Sequence, residues 1–571
     1  MHLDTLLPTD LAGAGWPEVA ALYEALHPAP TSPADVPAWL ARWSRLEACL
    51  TEAASLAMIA YTCDTADASK GRAHLRFSSD ILPRAEEQSV VLARALVASG
   101  WTDRDFEVPM VRFRTAIKVF REANVPLFAE LEEHSASYQR ITGGMTAEWE
   151  GKRRPLPMLA PHLQARDRVV RERAWRATTQ PYVEERGALA GLFDTMHTLR
   201  QRAARQAGFA DYRDYAFTAK CRVDYTPADC ERFHAAVEAS VVPAIDRVLT
   251  LRRERLGLPV LRPWDLAVDP WGDQPLQPFT DGADLAATAA QVFRRVDPAL
   301  AEEFDAMVAE QLLDLDSREG KAPGGYCDTL HFRGRPFIFM NASGVMEDVT
   351  TLLHEAGHCF HAFASHRWPL IWQRHPGSES AELASMSMEL LAAPHLGPPD
   401  GFLDAVGQRR AQIAHLEDVL LSLAHIASVD AFQTWLYTNP GGGDPAARDD
   451  HWLALRARFE PGVDWTGLRE ERIARWYRQL HIFLYPFYYI EYGIAQLGAL
   501  QVWARSLADP AEALAGYRRF LSLGATRPLP ELYQAAGAEL TFDQARIADL
   551  VAMVEAQIRE LVSGLPEVAP R

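Results

Sequence analysis

This 571-residue sequence lacks the features that mark several classes of protein. It contains no apolar run of about 18 residues, the length that a membrane-spanning helix needs. Its start, Met1-His2-Leu3-Asp4, lacks the basic and apolar regions of a signal peptide. No C-x-x-C pair occurs, so neither a thiolate zinc site nor a redox motif is indicated. We therefore expect a cytoplasmic protein without a membrane partner, whose cysteines stay reduced. These cysteines are Cys49, Cys63, Cys221, Cys230, Cys327 and Cys359.

An excess of basic residues is also missing. The chain has 58 Lys and Arg against 76 Asp and Glu, which gives a formal net charge of -18. Recognition of nucleic acid depends on a basic patch, so this balance argues against a nucleic-acid partner. The hydrophobic share of 48% and the charged share of 23% are ordinary for globular proteins. The composition predicts a globular protein and fits a monomer or a homodimer equally.

Most of the chain shows the periodicity of α-helices. Apolar residues recur at spacings of three and four, which places them on one face of a helix. We therefore predict a mainly α fold with an N-terminal helical lobe at 1–195 and a catalytic lobe at 196–571. The clearest periodic segments are 41–60, 185–207, 229–256, 403–430 and 542–561.

Two segments depart from helical periodicity. Residues 257–277 contain four prolines, which a single helix does not tolerate, so we expect an irregular connection there. Residues 329–341 contain two β-prone runs around Arg333-Gly334-Arg335-Pro336, a pattern that predicts a hairpin and a small sheet. We expect the strand at 337–341 to offer an exposed edge, because such an edge can pair with an extended peptide.

The segment His354-Glu355-Ala356-Gly357-His358 has the spacing of a helical metal site. Residues at i and i+4 share one face of a helix, with Cβ atoms about 5–6 Å apart. Two imidazoles at that spacing can bind one zinc ion. Glu355 follows the first histidine, where its carboxylate can take a proton from the water that attacks a substrate and later return it. The segment therefore predicts a single Zn²⁺ held by His354 and His358, with Glu355 as general base and acid.

A third protein ligand must come from elsewhere in the chain, because catalytic zinc sites usually have three. The downstream candidates are Glu379, Glu382, Glu389 and His375. Residues 382–391 have a helical pattern, and a second helix crossing the first could present Glu382. Spacing alone does not choose between Glu379 and Glu382. Glu389 could instead orient a ligand histidine, or it could be structural.

The sequence resembles the thimet oligopeptidase and oligoendopeptidase F family of zinc peptidases, and most of all its oligoendopeptidase F branch. The resemblance rests first on the motif His354-Glu355-x-Gly357-His358 followed by Glu382-x-Ala384-Ser385. The resemblance is close over 320–545. It implies a two-lobed, zincin-like helical fold with a deep substrate channel, and Glu382 as third ligand. The other segments that carry it are Lys321-Ala322-Pro323-Gly324-Gly325-Tyr326-Cys327, Pro336-Phe337-Ile338-Phe339-Met340-Asn341, Phe487-Tyr488-Tyr489-Ile490-Glu491-Tyr492-Gly493, and Leu521-Ser522-Leu523-Gly524 with Arg527-Pro528-Leu529-Pro530-Glu531.

An aromatic segment at 481–492 is the second candidate for chemistry. On an unbroken helix four of its side chains would share a face, but Pro486 disfavours helix at the residue before it. Tyr485, Tyr489 and Tyr492 keep the spacing that resembles the family's active-site tyrosines, and His481 resembles its active-site histidine. The resemblance implies that their polar groups stabilise the oxyanion of the tetrahedral intermediate. Tyr488 is a candidate for binding substrate.

Gly324, Gly325 and Tyr326 form a further candidate for substrate binding. Glycine lets another backbone approach closely, and a plain turn is an equal alternative.

Together these features predict a zinc metallopeptidase that cuts short oligopeptides internally in the cytoplasm. One rival is a metal-dependent carboxypeptidase or dipeptidase, which needs a cationic pocket for the peptide C-terminus; no feature of the sequence singles one out. A second rival is a catalytically silent peptide-binding relative, which would have no need of Glu355. A helical scaffold with a structural zinc ranks last, because such sites usually have four protein ligands.

Overall fold

The structure, a computed structural model, is built mainly from α-helices, as the periodicity predicts. It describes residues 1–30, 32–272, 274–318, 320–322 and 324–566. Within these residues the helices α1 to α26 are, in chain order, Pro8–Leu11, Trp16–Glu24, Val36–Cys63, Ala68–Leu75, Leu82–Ala98, Glu107–Val119, Val125–Gly143, Ala160–Leu163, Arg168–Glu184, Arg186–Gln206, Tyr212–Ala219, Pro227–Ala236, Val242–Arg255, Gly282–Val296, Pro298–Ala309, Met346–Ser365, Ile371–Arg374, Ser378–Ala392, Ala405–Thr438, Pro445–Phe459, Arg469–Tyr477, Leu480–Leu484, Tyr489–Ala508, Pro510–Leu523, Leu529–Ala536 and Gln544–Ser563.

The helical segments expected from sequence are present, with two refinements. The segment at 229–256 is divided by a π-helical turn, Val237–Val241, between α12 and α13. The segment at 403–430 continues to Thr438, so that α19 has 34 residues. The proline-rich connection at 257–277 has no α-helix among its described residues and contains a short 3-10 turn, Pro263–Asp265.

Among the described residues two small sheets accompany the helices. The first is a hairpin of β1 (Thr146–Trp149) and β2 (Lys152–Pro155). The second has the order β3-β5-β4 and consists of β3 (Leu313–Asp316), β4 (Tyr326–Leu330) and β5 (Arg335–Ala342). The predicted hairpin is therefore confirmed as the antiparallel pair β4 and β5, which pairs Tyr326 with Phe339 and Leu330 with Arg335.

The expectation of an exposed edge at 337–341 is wrong. These residues lie in β5, which is the central strand of its sheet and is paired antiparallel with β4 and parallel with β3. The segment at 313–316 was too short and too acidic to be recognised as a strand from sequence. In the described residues the edges of this sheet are β3 and β4.

The described chain divides into two compact units, each assembled from separated segments. Unit 1 is Met1–Phe120, Pro278–Phe402 and Gly498–Leu540, and unit 2 is Arg121–Gln277, Leu403–Leu497 and Thr541–Arg571. The division into 1–195 and 196–571 is a single cut in sequence order, and it stays a prediction.

Unit 1 contains the mixed sheet and the helix with the His-Glu-x-x-His motif. Part of its core consists of large side chains from the first helices, such as Trp43, Phe106 and Phe113, which pack on one another and on Trp372. Their burial stabilises the unit, at roughly 25 cal/mol for each Å² of apolar surface removed from water. The motif helix α16 packs against β4, β5 and α18 of the same unit.

Unit 2 is organised around the long helix α19, which packs against α12, α13, α20 and α26. Among the described residues this helix is long and apolar enough to cross a membrane, judged by length and composition. In the most apolar 18-residue stretch of this helix 67% is buried within the protein, as is usual for the core helix of a globular protein.

Candidate metal centre

The local sequence fixes where α16 begins. The Asp348 carboxylate accepts hydrogen bonds from the backbone N–H groups of Ser343, Gly344 and Val345, at 2.8, 2.9 and 3.0 Å. A carboxylate at this place satisfies N–H groups at the helix N-terminus and interacts favourably with the helix dipole. One face of α16 then buries its apolar residues, and this burial fixes the rotation of the helix. The buried apolar residues are Val349, Leu352, Leu353, Ala356, Cys359 and Phe360.

Gly357 of the motif lets α18 approach α16 closely. A Cβ atom added at Gly357 would lie 2.6 Å from the Cα of Ser385 and 2.7 Å from the carbonyl oxygen of Ala384. Only glycine therefore fits between the two histidines at this helix crossing. The same crossing brings Glu382 of α18 to the histidines, as expected from the idea of a second helix crossing the first.

Three potential ligand atoms converge at the crossing. One ligand atom each from His354, His358 and Glu382 lies within 4.8 Å of the others. The Glu382 Oε2 atom lies 3.2 Å from His354 Nε2 and 3.7 Å from His358 Nε2. The two imidazole rings have centroids 5.0 Å apart and are nearly perpendicular, at 86°. Two imidazole nitrogens and a carboxylate oxygen are the donors that catalytic zinc sites use.

Two further side chains orient these donors. Glu389 Oε1 lies 2.7 Å from His354 Nδ1 and so accepts its N–H, which leaves Nε2 as the ring's ligand atom. The Ser385 hydroxyl, fully buried, lies 3.0 Å from Glu382 Oε2 and donates to it or to the Glu382 carbonyl oxygen. Sequence reasoning left the role of Glu389 open and named Ser385 only within the family motif.

Glu355 is buried beside the donors, with 8% of its surface exposed. Burial raises the pKa of Glu355 to about 7, and the Glu382 carboxylate adds to this rise. His354 and the backbone N–H of Cys327 oppose it. Burial also lowers the pKa of His358 to about 4, which keeps its imidazole in the neutral form that binds metals. A carboxyl group that titrates near neutrality can both accept and donate a proton.

The other ligand candidates lie outside the cluster. His375 packs against His331, with ring centroids 4.1 Å apart. Glu379 lies in the first turn of α18 and is not among the three residues whose ligand atoms converge. His361, which was not a ligand candidate, is 3% exposed and packs against the ring of Phe520.

Two cysteines lie next to the site in a way that the sequence did not reveal. The sulfur atoms of Cys327 in β4 and Cys359 in α16 are 3.5 Å apart, and both residues are free thiols. The pKa of Cys327 is raised, first by its hydrogen bond with Cys359 and then by burial. Their separation of 32 residues gave no signal, because only the packing of α16 on β4 brings them together.

The glycine segment before β4 belongs to unit 1 and borders α16. Gly324 adopts a positive φ of 98°, which favours glycine, and its carbonyl oxygen accepts from the side chain of Asn341 at 2.9 Å. A Cβ at Gly325 would meet Phe339, Met340 and Thr351 at 3.4–3.8 Å. Tyr326 stacks on the ring of Phe339 and its hydroxyl lies 2.6 Å from that of Thr62. The turn reading of Gly324 is supported, and substrate binding by Gly324, Gly325 and Tyr326 stays a prediction.

The aromatic candidates form a cluster in unit 2. Here the chain is not one helix: α22 ends at Leu484 and α23 begins at Tyr489. The ring of His481 lies 4.9 Å from that of Tyr489 and 5.8–6.0 Å from the other three tyrosine rings. Tyr485 is the most exposed member, at 54%. The structure thus brings the five predicted residues together, and their chemical roles stay predictions. The cluster comprises His481, Tyr485, Tyr488, Tyr489 and Tyr492.

The break between the two helices is held by buried polar contacts. Phe487 has a positive φ of 63°, an unusual conformation for a bulky residue. Its carbonyl oxygen accepts from the Arg222 guanidinium, and its N–H donates to the side chain of Gln433. Arg222 also forms a buried ion pair with Glu491 at 2.7 Å. These contacts fix the turn that gathers the tyrosines.

Most of the chain is similar in sequence to known proteins. Residues 162–551 match peptidase family M3. The chain is 20% identical over 424 residues to an oligoendopeptidase F homolog of Borreliella burgdorferi and 22% identical over 398 residues to oligopeptidase PepF of Bacillus subtilis. These matches cover 70% and 66% of this chain, and 66% and 55% of the relatives, so the chain spans less than two thirds of their length.

Solved structures of similar proteins share the whole fold. The structure of PZ peptidase A with an inhibitor has a TM-score of 0.88 and 26% identity, and the similarity covers 97% of both chains. A structure of oligoendopeptidase F has a TM-score of 0.88 and 27% identity, with 96% of this chain and 97% of that chain covered. Because the family match spans well over half of the sequence, the chain belongs to peptidase family M3, a family of metallopeptidases, and within it is similar to oligoendopeptidases F.

Proposed function

We propose that this protein is a zinc-dependent endopeptidase that hydrolyses short oligopeptides in the cytoplasm. The observation that carries the proposal is the convergence of His354, His358 and Glu382 next to the buried Glu355. The six free cysteines are consistent with a reducing compartment. The similarity to oligopeptidases supports peptides as substrates.

The donor set suits zinc well. Two imidazoles and one carboxylate match the ligands of catalytic zinc, and the thiolates of a structural site are not among the three donors. A bound zinc ion would polarise the substrate carbonyl and lower the pKa of water from 15.7 to about 7.

The protein's own groups then move the proton. Glu355 accepts a proton from the attacking water as the water adds to the peptide carbonyl carbon. It then donates that proton to the amine that leaves when the C–N bond breaks. Glu389 keeps the His354 ring in one orientation through this process. Oxyanion stabilisation by Tyr485, Tyr489, Tyr492 or His481 is part of the proposal, and the variants below test it.

Two rivals remain worth separating from this proposal. A silent peptide-binding relative would not depend on Glu355. A carboxypeptidase or dipeptidase would release residues only from a peptide end, whereas an endopeptidase cuts internally. Mass analysis of the products from one peptide of about ten residues distinguishes the two outcomes.

The direct test uses a quenched fluorescent peptide of that length. Wild-type protein should cleave it internally, lose activity with a chelator and regain it with zinc. Glu355→Gln should retain the metal and lose between about a hundredfold and ten-thousandfold in kcat. Glu347→Gln, an exposed position in the first turn of the same helix, is the matched control and should behave as wild type. If Glu355→Gln with bound metal cleaves at the wild-type rate, the proposal is wrong.

A further inference from the structure

Unit 2 contains a cavity that the proposed chemistry does not use. Its volume is about 420 Å³, within the range of small-ligand sites. Three aromatic side chains form part of its wall: Trp175 and Tyr182 of α9, and Trp465 before α21. The Trp175 and Trp465 rings have centroids 6.0 Å apart. Such a wall favours an apolar or aromatic group of a ligand.

The charge of the cavity is positive. Arg475 and Arg478 line it, and none of the described lining residues is Asp or Glu. The Arg478 guanidinium carbon lies 6.0 Å from the centre of the Tyr182 ring, at the edge of the range for a cation–π contact. Arg475 lies over the ring of Trp465 at 5.3 Å. Guanidinium groups held by aromatic rings are well suited to bind a carboxylate through two parallel hydrogen bonds.

Glu460, the acidic residue that contacts Arg475, does not neutralise the positive charge of the cavity. Glu460 is shared by three arginines: it forms an ion pair with Arg475, accepts from Arg456 at 2.6 Å and lies 3.1 Å from Arg472. The pKa of Glu460 is held low by Arg475 and Arg456 in spite of its burial. Three guanidinium groups against one carboxylate leave an excess of positive charge at this end of the cavity, before Arg478 is counted.

A polar chain links the cavity to the aromatic cluster of the same unit. Arg456 donates to Nδ1 of His425 at 3.1 Å, so His425 carries its proton on Nε2 and donates it to Gln479 at 3.0 Å. The amide of Gln479 then donates to the hydroxyl of Tyr489. Burial lowers the pKa of His425 to about 3, with Arg456 and Arg475 adding to the fall, so the ring stays neutral. His425 and Gln479 both line the cavity. The hydrogen bond between Gln479 and Tyr489 therefore connects the cavity wall to the aromatic cluster.

We infer that this cavity binds a carboxylate group of the peptide substrate, with an adjacent apolar side chain against Trp175, Tyr182 and Trp465. The inference rests on the proposed function only in taking the ligand to be a substrate. The carboxylate is either the peptide C-terminus or the side chain of Asp or Glu, and both present the same two oxygens to Arg475 and Arg478.

Binding of matched peptides tests the inference without relying on hydrolysis. Three heptapeptides that end in Phe are prepared. Two have Gln before the Phe and differ only at the C-terminus, which is the free acid in one and the amide in the other. The third is the amide with Glu in place of that Gln. Their dissociation constants are measured by calorimetry with the full-length Glu355→Gln protein, before and after removal of metal. The same protein carrying Arg478→Gln is compared with one carrying Arg469→Gln. Arg469 is an exposed arginine at the start of α21, the helix that ends just before Arg478, and it does not line the cavity.

We expect the free acid to bind roughly tenfold more tightly than the amide, with or without metal, as a charge-assisted hydrogen bond would give. Arg478→Gln should abolish this preference and Arg469→Gln should preserve it. If instead the amide that contains Glu binds more tightly than the amide that contains Gln, the cavity binds a side-chain carboxylate. The inference is overturned if all three peptides bind equally. It is also overturned if the preference for a carboxylate persists in Arg478→Gln and in Arg475→Gln, provided that both variants unfold at the wild-type temperature. If the preference is found but the wild-type protein cleaves none of the peptides, only the proposed function is contradicted.

Discussion

The metal-binding cluster of unit 1 and the aromatic cluster of unit 2 were both predicted from sequence, but on different grounds. His354 and His358 are one helical turn apart on an uninterrupted α16, so their spacing alone fixes their geometry. The aromatic residues straddle a break between α22 and α23. Helical spacing there leaves out Tyr489, whose ring lies nearest to that of His481, and it is the turn at Phe487 that gathers the rings.

The two clusters also differ in how their polar groups are held. In the metal cluster each donor is oriented by a partner from the same pair of helices, as Glu389 orients His354. In the aromatic cluster Tyr489 is connected through Gln479 and His425 to Arg456, on three other helices or turns. A site built on local spacing can be inferred from sequence, whereas a site built on a network requires the fold.

The largest expected effect belongs to Glu382→Ala. Loss of one of three ligands should remove most of the bound metal and lower kcat by about a thousandfold or more, because the metal supplies several kcal/mol of transition-state stabilisation. Metal content and peptide hydrolysis measure the two effects. Glu379→Ala is the matched control, since sequence spacing alone did not separate these two residues. Equal loss of metal in both variants would contradict the assignment of Glu382.

Next in size is Gly357→Ala, which tests whether the helix crossing builds the metal cluster. A Cβ at 2.6 Å from the backbone of Ser385 forces the helices apart, so we expect a loss of about 2–3 kcal/mol in the free energy of unfolding. Gly191→Ala, in α10 with nothing within 4 Å of the new Cβ, should instead gain about 0.5–1 kcal/mol. Urea unfolding of the two variants checks both signs, and a neutral Gly357→Ala would show that the crossing tolerates a side chain.

A smaller effect is expected for Glu389→Gln. The amide can still contact His354 but no longer holds its N–H with a charged acceptor. We expect a fall of about ten- to a hundredfold in metal affinity or in kcat/KM. Metal titration against a competing chelator gives the affinity. Unchanged values in both measurements would show that Glu389 is only a structural carboxylate.

The smallest effect is expected in the aromatic cluster, and it decides whether this cluster acts in catalysis at all. Tyr489→Phe keeps the ring and removes the hydroxyl that accepts from Gln479. If that hydroxyl stabilises an oxyanion, kcat should fall by roughly tenfold or more while KM changes little. Tyr488→Phe serves as the comparison, as a candidate for binding, and should change KM more than kcat. An unchanged kcat in Tyr489→Phe would make its role structural.

Much of the metal cluster was accessible from sequence because its main parts are local. The motif gave two ligands and the general base, and the helical pattern at 382–391 gave the second helix. The choice of Glu382 over Glu379 came from the family resemblance, since both are acidic residues in the first turns of α18. The helices of the fold were recoverable for the same reason, because apolar periodicity is a local signal.

The remaining features depend on contacts between distant segments. The position of β5 in the centre of its sheet depends on β3, a four-residue strand with two aspartates. The pair Cys327 and Cys359 and the shared carboxylate of Glu460 arise only when separate helices and strands pack. The cationic cavity was missed for the same reason, since its arginines and its tryptophans lie on different elements.

X-ray absorption at the zinc edge of the metal-loaded protein tests the central claim most directly, because it distinguishes nitrogen and oxygen ligands from sulfur. We predict a first shell of nitrogen and oxygen atoms at about 2.0–2.1 Å, contributed by His354, His358 and Glu382, with no sulfur. This shell should be unchanged in a protein carrying both Cys327→Ser and Cys359→Ser. A shell with sulfur at about 2.3 Å that disappears in the double variant would place the metal on the neighbouring thiols and contradict the assignment.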